Sequence, residues 1–433
     1  GAGGGADQSP PAAGEAGVLA PGDEGWRDWA GLPEDLLVKV AGKVVAQNEA
    51  GWAAWLKEGY TWMTEELIQE EMAKRAIDPA DLDYGVLGLT VPQHMSFQGL
   101  PWLTGMIGAS HVTGPTLSQV CATGARSLEN ASQEIKAGAA SVALVATCDR
   151  VSNGPQLYYP EPTGPGGTGY QENLTIDNMQ CDALGGHSML QTAENVATRH
   201  QITTEEQHAV VARRQEQYLD ALADDRAFQK RYMTLPFNVP DARFRKTVAT
   251  LESDEGIYPS NPEKLATLKP VLEDGSVTFG GQTHPADGNA CLIVTTSDKA
   301  AAFSQDTNIR VKLLGFGHAR AENGYMPEAP VPAAKKALAQ ASLNIRDMGA
   351  VKTHNPFAVN DIYFARETGY DINKMNNYGC TLVWGHPQAP MGTRGIIELI
   401  EELVIRGGGR GLFTGCAAGD TGMAVVIEVE DNS

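Results

Sequence analysis

An α/β fold built from two duplicated halves, with a further domain inserted in the first, is what the 433-residue sequence predicts. Three observations point to it. Strand and helix patterns alternate in both the first and the last third, as they do where helices cover a largely parallel sheet. Those two thirds match one another without a gap at an offset of 268 residues: Gly124 meets Gly392, Arg126 meets Arg394, Leu144 meets Leu412 and Cys148 meets Cys416. Between them, residues 151–275 lose the strand pattern and turn to Gly/Pro-rich stretches and polar helices.

Taken in order, residues 1–25 are rich in Gly, Ala and Pro with scattered acids, and a flexible tail is expected there. The first half is assigned to residues 26–150 and 276–305. Within it, Pro33-Glu34-Asp35 followed by Leu36, Leu37, Val40 and Val44 reads as a helix start with an apolar stripe. Thr64-Glu65-Glu66 opens a second helix running to about Arg75. Tyr84 to Val91 has the composition of a buried strand, and Ser141 to Cys148 that of a strand buried on both faces. Between these strands a helix runs from near Cys121 to Gly138.

In the inserted domain, helices are expected from Thr192 to about His200 and after Thr203-Thr204-Glu205-Glu206. Arg213, Arg214, Lys230, Arg231, Arg243, Arg245 and Lys246 make this region locally positive, either as a solvated helical face or as a phosphate-binding surface. The chain rejoins the sheet at Asp287-Gly288-Asn289-Ala290, which the second half (306–433) echoes at Thr421-Gly422-Met423-Ala424. Two such halves face one another across a pseudo-twofold axis and leave a cleft between matching helix starts. Cys121 and His386 each lie just before a matched helix, so both are expected in that cleft.

Composition narrows the partners. A formal net charge of -20 argues against nucleic acid or an anionic membrane surface as the main partner. Cys121, Cys148, Cys181, Cys291, Cys380 and Cys416 are widely spaced with no CxxC pattern, which suggests reduced thiols and neither a disulfide framework nor a metal site. No apolar run reaches the length of a membrane span, the opening residues lack a signal-peptide pattern, and Glu430-Asp431-Asn432-Ser433 is not a peroxisomal address. A cytoplasmic protein is the expectation.

Four groups can carry chemistry. Cys121 begins a helix, where free N–H groups and the macrodipole favour thiolate. His386 stands in Trp384-Gly385-His386-Pro387, His354 in Thr353-His354-Asn355-Pro356-Phe357, and Cys416 in Thr414-Gly415-Cys416-Ala417-Ala418-Gly419-Asp420. All four sit in stretches that read as turns. A nucleophilic thiol needs a neighbouring base or cation, and a second unpaired thiol with a lowered pKa can take a proton from carbon.

This constellation resembles the thiolase family over nearly everything from residue 60 to 431. Val120-Cys121-Ala122-Thr123-Gly124 is similar to its cysteine loop, and Met189-Leu190-Gln191-Thr192-Ala193-Glu194-Asn195 to the start of its loop-domain helix. Gly385-His386-Pro387 resembles its Gly-His-Pro motif, and Cys416 to Ala424 its C-terminal cysteine motif. The resemblance implies mixed five-stranded sheets in a layered α-β-α-β-α arrangement with an inserted, coenzyme A-binding loop domain (151–275). It also implies two-step acyl transfer on coenzyme A thioesters, with acetyl-CoA and other acyl-CoA compounds as substrates and no permanently bound cofactor or metal. Cys121 would be acylated, His386 would accept its proton, and Cys416 would deprotonate the α-carbon of acetyl-CoA. Oxyanion contacts would come from the backbone N–H groups of Cys121 and Ala418 and from His354 with His386. Met189, Thr283, Phe357, Arg243, Arg245 and Lys246 would contact coenzyme A. Relatives assemble as homodimers or homotetramers, and a companion subunit is also conceivable.

The chain departs from the family pattern at four places. His354-Asn355-Pro356-Phe357 replaces Asn-Glu-Ala-Phe, and Thr283-His284-Pro285-Ala286-Asp287-Gly288 replaces Ser-Gly-Ile-Asn-Asp-Gly. Ala418 stands where glycine is usual, and a left-handed backbone there would be strained. The opening strand with an Arg-Thr-Pro signature is not recognisable, and residues 36–47, the one substitute the sequence offers, read better as helix than as strand. Two other functions compete: a decarboxylating ketoacyl synthase using Cys121, His354 and His386, and a non-catalytic acyl-CoA-binding protein. A papain-like peptidase lacks the Cys-Gly-x-Cys-Trp context.

Overall fold

Short apolar strands followed by amphipathic helices set up the first half of the fold. The structure, a computed structural model, describes residues 43–45, 72–93, 96–240, 246–257 and 261–433. The expected tail, most of the helix read from Pro33, and the helix read from Thr64 as far as residue 71 lie outside these residues; residues 72–74 are helical, as expected. Strands β1 (Lys43–Val45), β2 (Tyr84–Gly88), β3 (Thr116–Leu117) and β4 (Val142–Arg150) belong to the first sheet. The chain then leaves it for two hairpins, β5 (Gln156–Tyr159) with β6 (Tyr170–Asn173) and β7 (Phe237–Pro240) with β8 (Thr247–Leu251). It returns as β9 (Asp287–Thr295), giving a five-stranded sheet of order β1-β9-β4-β2-β3. All nine residues of β4 are buried, as its unbroken apolar run requires of a central strand covered on both faces.

The helix reading of residues 36–47 is overturned where it can be checked: Lys43–Val45 is a strand, antiparallel to β9, with Lys43 opposite Asn289 and Val45 opposite Asp287. The i, i+4 spacing of Val40 and Val44 suggested a helix. An open sheet edge and the β-branched pair Val44-Val45 prevail over it. This short strand occupies the place of the expected first strand.

The second half gives β10 (Ile309–Arg320), β11 (Ala350–His354), β12 (Gly409–Ala417) and β13 (Thr421–Asp431) in a sheet of order β10-β13-β12-β11. The duplication is therefore real strand by strand: β1, β9, β4 and β2 correspond to β10, β13, β12 and β11. The second sheet has four strands, not the expected five. Where a counterpart of β3 would stand there is a single parallel bridge, Val351 to Met375.

Two helices, Thr123–Lys136 and Ala389–Ile405, lie between the sheets. The first packs on β2, β4 and β9 and reaches β13; the second packs on β4, β9, β11, β12 and β13. Outer helices Gly99–Met106 and Pro330–Gln340 cover the far faces, so the order of layers is α-β-α-β-α. The two inner helices meet at the matched glycines. A Cβ on Gly124 would lie 2.5 Å from the Thr393 backbone nitrogen, and one on Gly392 would lie 3.2 Å from that of Ala125. A methyl group forced in at Gly124 would push the helices apart, at about 1–3 kcal/mol. This crossing puts the N-termini of both helices at one seam, and the site is built there.

The inserted stretch is tied down by buried charge. The Thr204–Lys230 helix is opened by Thr203, whose hydroxyl accepts from the Glu206 N–H while Glu206 accepts from the Thr203 N–H. Arg214 on this helix is fully buried and donates to Asp361 at 2.9 Å, and Arg394 makes a two-pronged contact with Asp254 at 2.6 and 2.7 Å. Removing one partner of such a pair strands a buried charge, at about 3–5 kcal/mol.

Candidate active site

Residues 119–123 form a tight turn that presents Cys121. Val120 has φ 47°, a left-handed conformation that a β-branched residue adopts only under constraint. The constraint comes from Thr123, whose hydroxyl donates to Val120 O at 2.6 Å and accepts from the Gln119 N–H at 2.8 Å. The helix then starts at Thr123, two residues beyond the thiol.

On the opposite side of the seam the Thr381–Trp384 helical turn ends at Gly385, with φ 94°. A Cβ there would sit 2.8 Å from the Ala286 Cβ and 2.9 Å from the His284 ring, so the Gly-His-Pro motif needs its glycine. The His386 N–H donates to His284 O at 2.7 Å, fixing the loop on the first half. His386 Nε2 lies 3.0 Å from Cys121 Sγ. The pKa of Cys121 also feels the N–H of Cys121 itself and that of Ala418, both of which stabilise its charged form.

The other two groups close the pocket. His354, expected in a turn, ends strand β11, and its ring centroid is 4.5 Å from that of His386. Its Nδ1 is 3.2 Å from the Thr381 hydroxyl, and its Nε2 is buried with no hydrogen-bond partner. Cys416, also expected in a turn, lies within β12, near enough to Cys121 for the charge of Cys121 to raise its pKa. The paired β11 and β12 bring His354 opposite Gly415, one residue from Cys416. Ala418 escapes the expected strain: the left-handed residues of this turn are Gly419 (φ 80°) and Asp420 (φ 59°).

Burial dominates the electrostatics. It pushes the Cys121 thiol up to about 12, against the opposing pull of the two N–H groups. The expectation of a thiolate favoured by the helix start is thereby corrected: the loss of water around the sulfur outweighs the dipole. Burial likewise holds His386 down at about 3, and burial with the neighbouring His386 keeps His354 well below the ordinary histidine range. Both rings are therefore held in the neutral form at neutral pH.

The hydrogen bonding of the His386 ring sets what transfer of the Cys121 proton to it requires. The Gln388 N–H donates to His386 Nδ1 at 3.1 Å, so the single proton of the neutral ring sits on Nε2, aimed at sulfur. Taking a proton from Cys121 requires the other tautomer and release of Gln388. The same contact bears on metals. Donor atoms of Cys121, His354 and His386 lie within 4.8 Å of one another, close enough to hold an ion, but a protonated Nε2 offers it no lone pair.

Because the resting thiol is uncharged, alkylation of Cys121 by iodoacetamide should rise about tenfold per pH unit from pH 6 to 10, without a plateau. A plateau beginning near pH 7 would mean a preformed thiolate–imidazolium pair.

Of the expected coenzyme A contacts, Phe357 is buried in the same apolar cluster as Cys121 and Cys416, and half-buried Met189 packs against that cluster. Thr283 is half-buried, and its hydroxyl donates to Thr381 O at 2.6 Å. Lys246 is exposed just before β8, while Arg243 and Arg245 lie outside the described residues. The other cations of the basic region are engaged within the protein: Arg213 with Glu216, Arg214 with Asp361, Lys230 with Asp225, Arg231 with Glu401.

Two residues of the seam were not anticipated. Asp149, at the end of β4, is fully buried and accepts from the N–H groups of Thr90, Val91 and Ala389 at 2.7–2.8 Å. It thereby joins the first half to the N-terminus of the helix that follows His386. Asn360 lies 3.3 Å from Cys416. The acid at the end of an apolar strand was the available signal for Asp149; Asn360, an amide in the first turn of a helix, gave none.

Two buried thiols and two neutral imidazoles at the seam of a duplicated α/β fold define an acyl-transfer enzyme of the thiolase class. The thiolase N-terminal domain model matches residues 54–298 and the thiolase C-terminal domain model residues 307–429, so the chain belongs to the thiolase family and is an acyltransferase. It is 28% identical over 377 residues to an acetyl-CoA acetyltransferase of Chromobacterium violaceum, covering 84% of this chain and 92% of that one. It is 29% identical over 319 residues to the human mitochondrial 3-ketoacyl-CoA thiolase, covering 72% and 78%. A crystal structure of the human mitochondrial 3-ketoacyl-CoA thiolase in complex with CoA superposes with a TM-score of 0.78 at 25% identity, over 90% of this chain and 96% of that one. No helix among the described residues is long and apolar enough to cross a membrane.

Proposed function

We propose that the protein is an acyl-CoA C-acyltransferase that works through an acyl-Cys121 intermediate. The observation that carries this reading is the pairing of Cys121 Sγ with His386 Nε2 at 3.0 Å, with a second thiol, Cys416, beside it. In the first half-reaction the Cys121 sulfur bonds to the thioester carbonyl carbon and the bond to the coenzyme A sulfur breaks. The thiol proton ends on that sulfur, carried by His386 once its ring releases Gln388. In this reading the N–H groups of Cys121 and Ala418 hold the oxyanion.

In the second half-reaction Cys416 passes its own proton to His386, the resulting thiolate takes a proton from the α-carbon of acetyl-CoA, and His354 with His386 holds the enolate oxygen. The carbon attacks the acyl group, the bond to Cys121 breaks, and His386 returns its proton to the Cys121 sulfur, while Cys416 keeps the proton taken from carbon. Reversed, the same steps cleave a 3-ketoacyl-CoA. The family relationship and the names of the relatives support this reading; acyl chain length and direction are open within it.

A decarboxylating synthase is favoured only by the closeness of one cysteine to two histidines. Thiolysis and condensation assays across short and long 3-ketoacyl-CoA substrates, with intact-protein mass read in parallel, test the proposal. The expected result is turnover together with a mass gain of one acyl group. Carbon dioxide release from a malonyl thioester, without acetyl-CoA condensation, would replace it with the synthase.

A further inference from the structure

Asn360 is a buried amide with only its nitrogen side paired. It sits in the first turn of the Ala358–Thr368 helix, 2% exposed. Its Nδ2 donates to Cys416 Sγ at 3.3 Å, and its Oδ1 is buried without a partner. A buried amide that leaves an acceptor unpaired is less stable there than an apolar side chain of the same size. Such exceptions call for an explanation, and here the amide polarity is directed at one atom, a sulfur.

The helix that carries Asn360 is fixed from the next residue. Asp361 accepts from Arg214 at 2.9 Å, from the Thr353 hydroxyl at 2.5 Å, from Asn355 at 2.7 Å and from Asn376 at 3.1 Å. The amide is thus held in place by a network that spans the inserted helix, β11 and the 376 turn.

We propose that Asn360 is the positioning residue for the carbon base: its N–H stabilises the Cys416 thiolate and aims the sulfur at the α-carbon. This rests on the reading of Cys416 as the base. Burial and the neighbouring Cys121 sulfur both oppose charge on Cys416, and no cation pairs with it among its perturbing groups. The groups that favour its charge are the Asn360 amide and its own backbone N–H. The nearby imidazoles are neutral and Asp420 disfavours a thiolate, so the amide is the one side chain that opposes burial.

The test compares Asn360→Leu, close in size, and Asn360→Asp with Cys416→Ala. Two readouts are followed: acetylation of Cys121 by acetyl-CoA, read by intact mass, and deuterium uptake at the acetyl methyl carbon of acetyl-CoA in D2O across pH 6–10. Asn360→Leu should acetylate Cys121 within about twofold of wild type. It should exchange deuterium about tenfold more slowly at pH 7.5, with the exchange profile moved up by about one pH unit, as loss of one hydrogen bond to a charged group implies. Asn360→Asp should be slower still above neutrality, where a carboxylate faces the thiolate.

Unchanged exchange in Asn360→Leu, with Cys416→Ala dead, overturns the role of Asn360 alone. Exchange that survives in Cys416→Ala overturns the base assignment and the proposal together. Parallel loss of acetylation and exchange in Asn360→Leu marks a structural role and also counts against it.

Discussion

Replacing Cys121 with alanine should abolish the proposed acyl-enzyme and lower both thiolysis and condensation by about 10⁴-fold or more. Removing the nucleophile of a covalent mechanism has losses of that order, because the remaining groups were arranged around its sulfur. His386 Nε2 and the N–H groups of Cys121 and Ala418 all converge on that atom. The variant should fold: the thiol packs as a small apolar group, and alanine leaves the Val120 turn and its Thr123 hydrogen bonds in place. Intact mass after incubation with acetyl-CoA, beside a thermal melt, checks both statements. Acylation at a normal rate would move the nucleophile elsewhere.

Replacing Cys416 with alanine separates the half-reactions. Acetylation of Cys121 should persist, while carbon–carbon bond formation should fall by about 10³-fold, within the range for loss of a general base. The separation is expected because the side-chain hydrogen bond of Cys416 comes from Asn360 and not from the Val120 turn or the Gly385-His386 loop. A stalled, acetylated protein is the signature. Equal loss of both half-reactions would instead mean that Cys416 acts on Cys121.

The doubled architecture was legible because matched residues had matched structural duties. Gly124 and Gly392 repeat since two inner helices must approach at one crossing, and β9 and β13 both begin where the echoed segments begin. The region around residues 36–47 misled because two valines at helical spacing also suit a strand, and a sheet edge formed by distant residues decided between them. The cysteine and histidine segments were readable from residue type and flanking turns. Their electrostatics were not. The pKa shifts of Cys121, Cys416 and both histidines come from burial between two halves of the chain, which no local window records. Asn360 and Asp149 act through partners 56 and 240 residues away, so sequence spacing could not connect them.

Peptide mapping after a brief exposure to acetyl-CoA tests the central claim most directly. The account predicts one acetyl group on the peptide carrying Cys121, its release on adding coenzyme A, and the same label in the Cys416→Ala variant. Acetyl found on Cys416, or a label on Cys121 that coenzyme A does not remove, would contradict it.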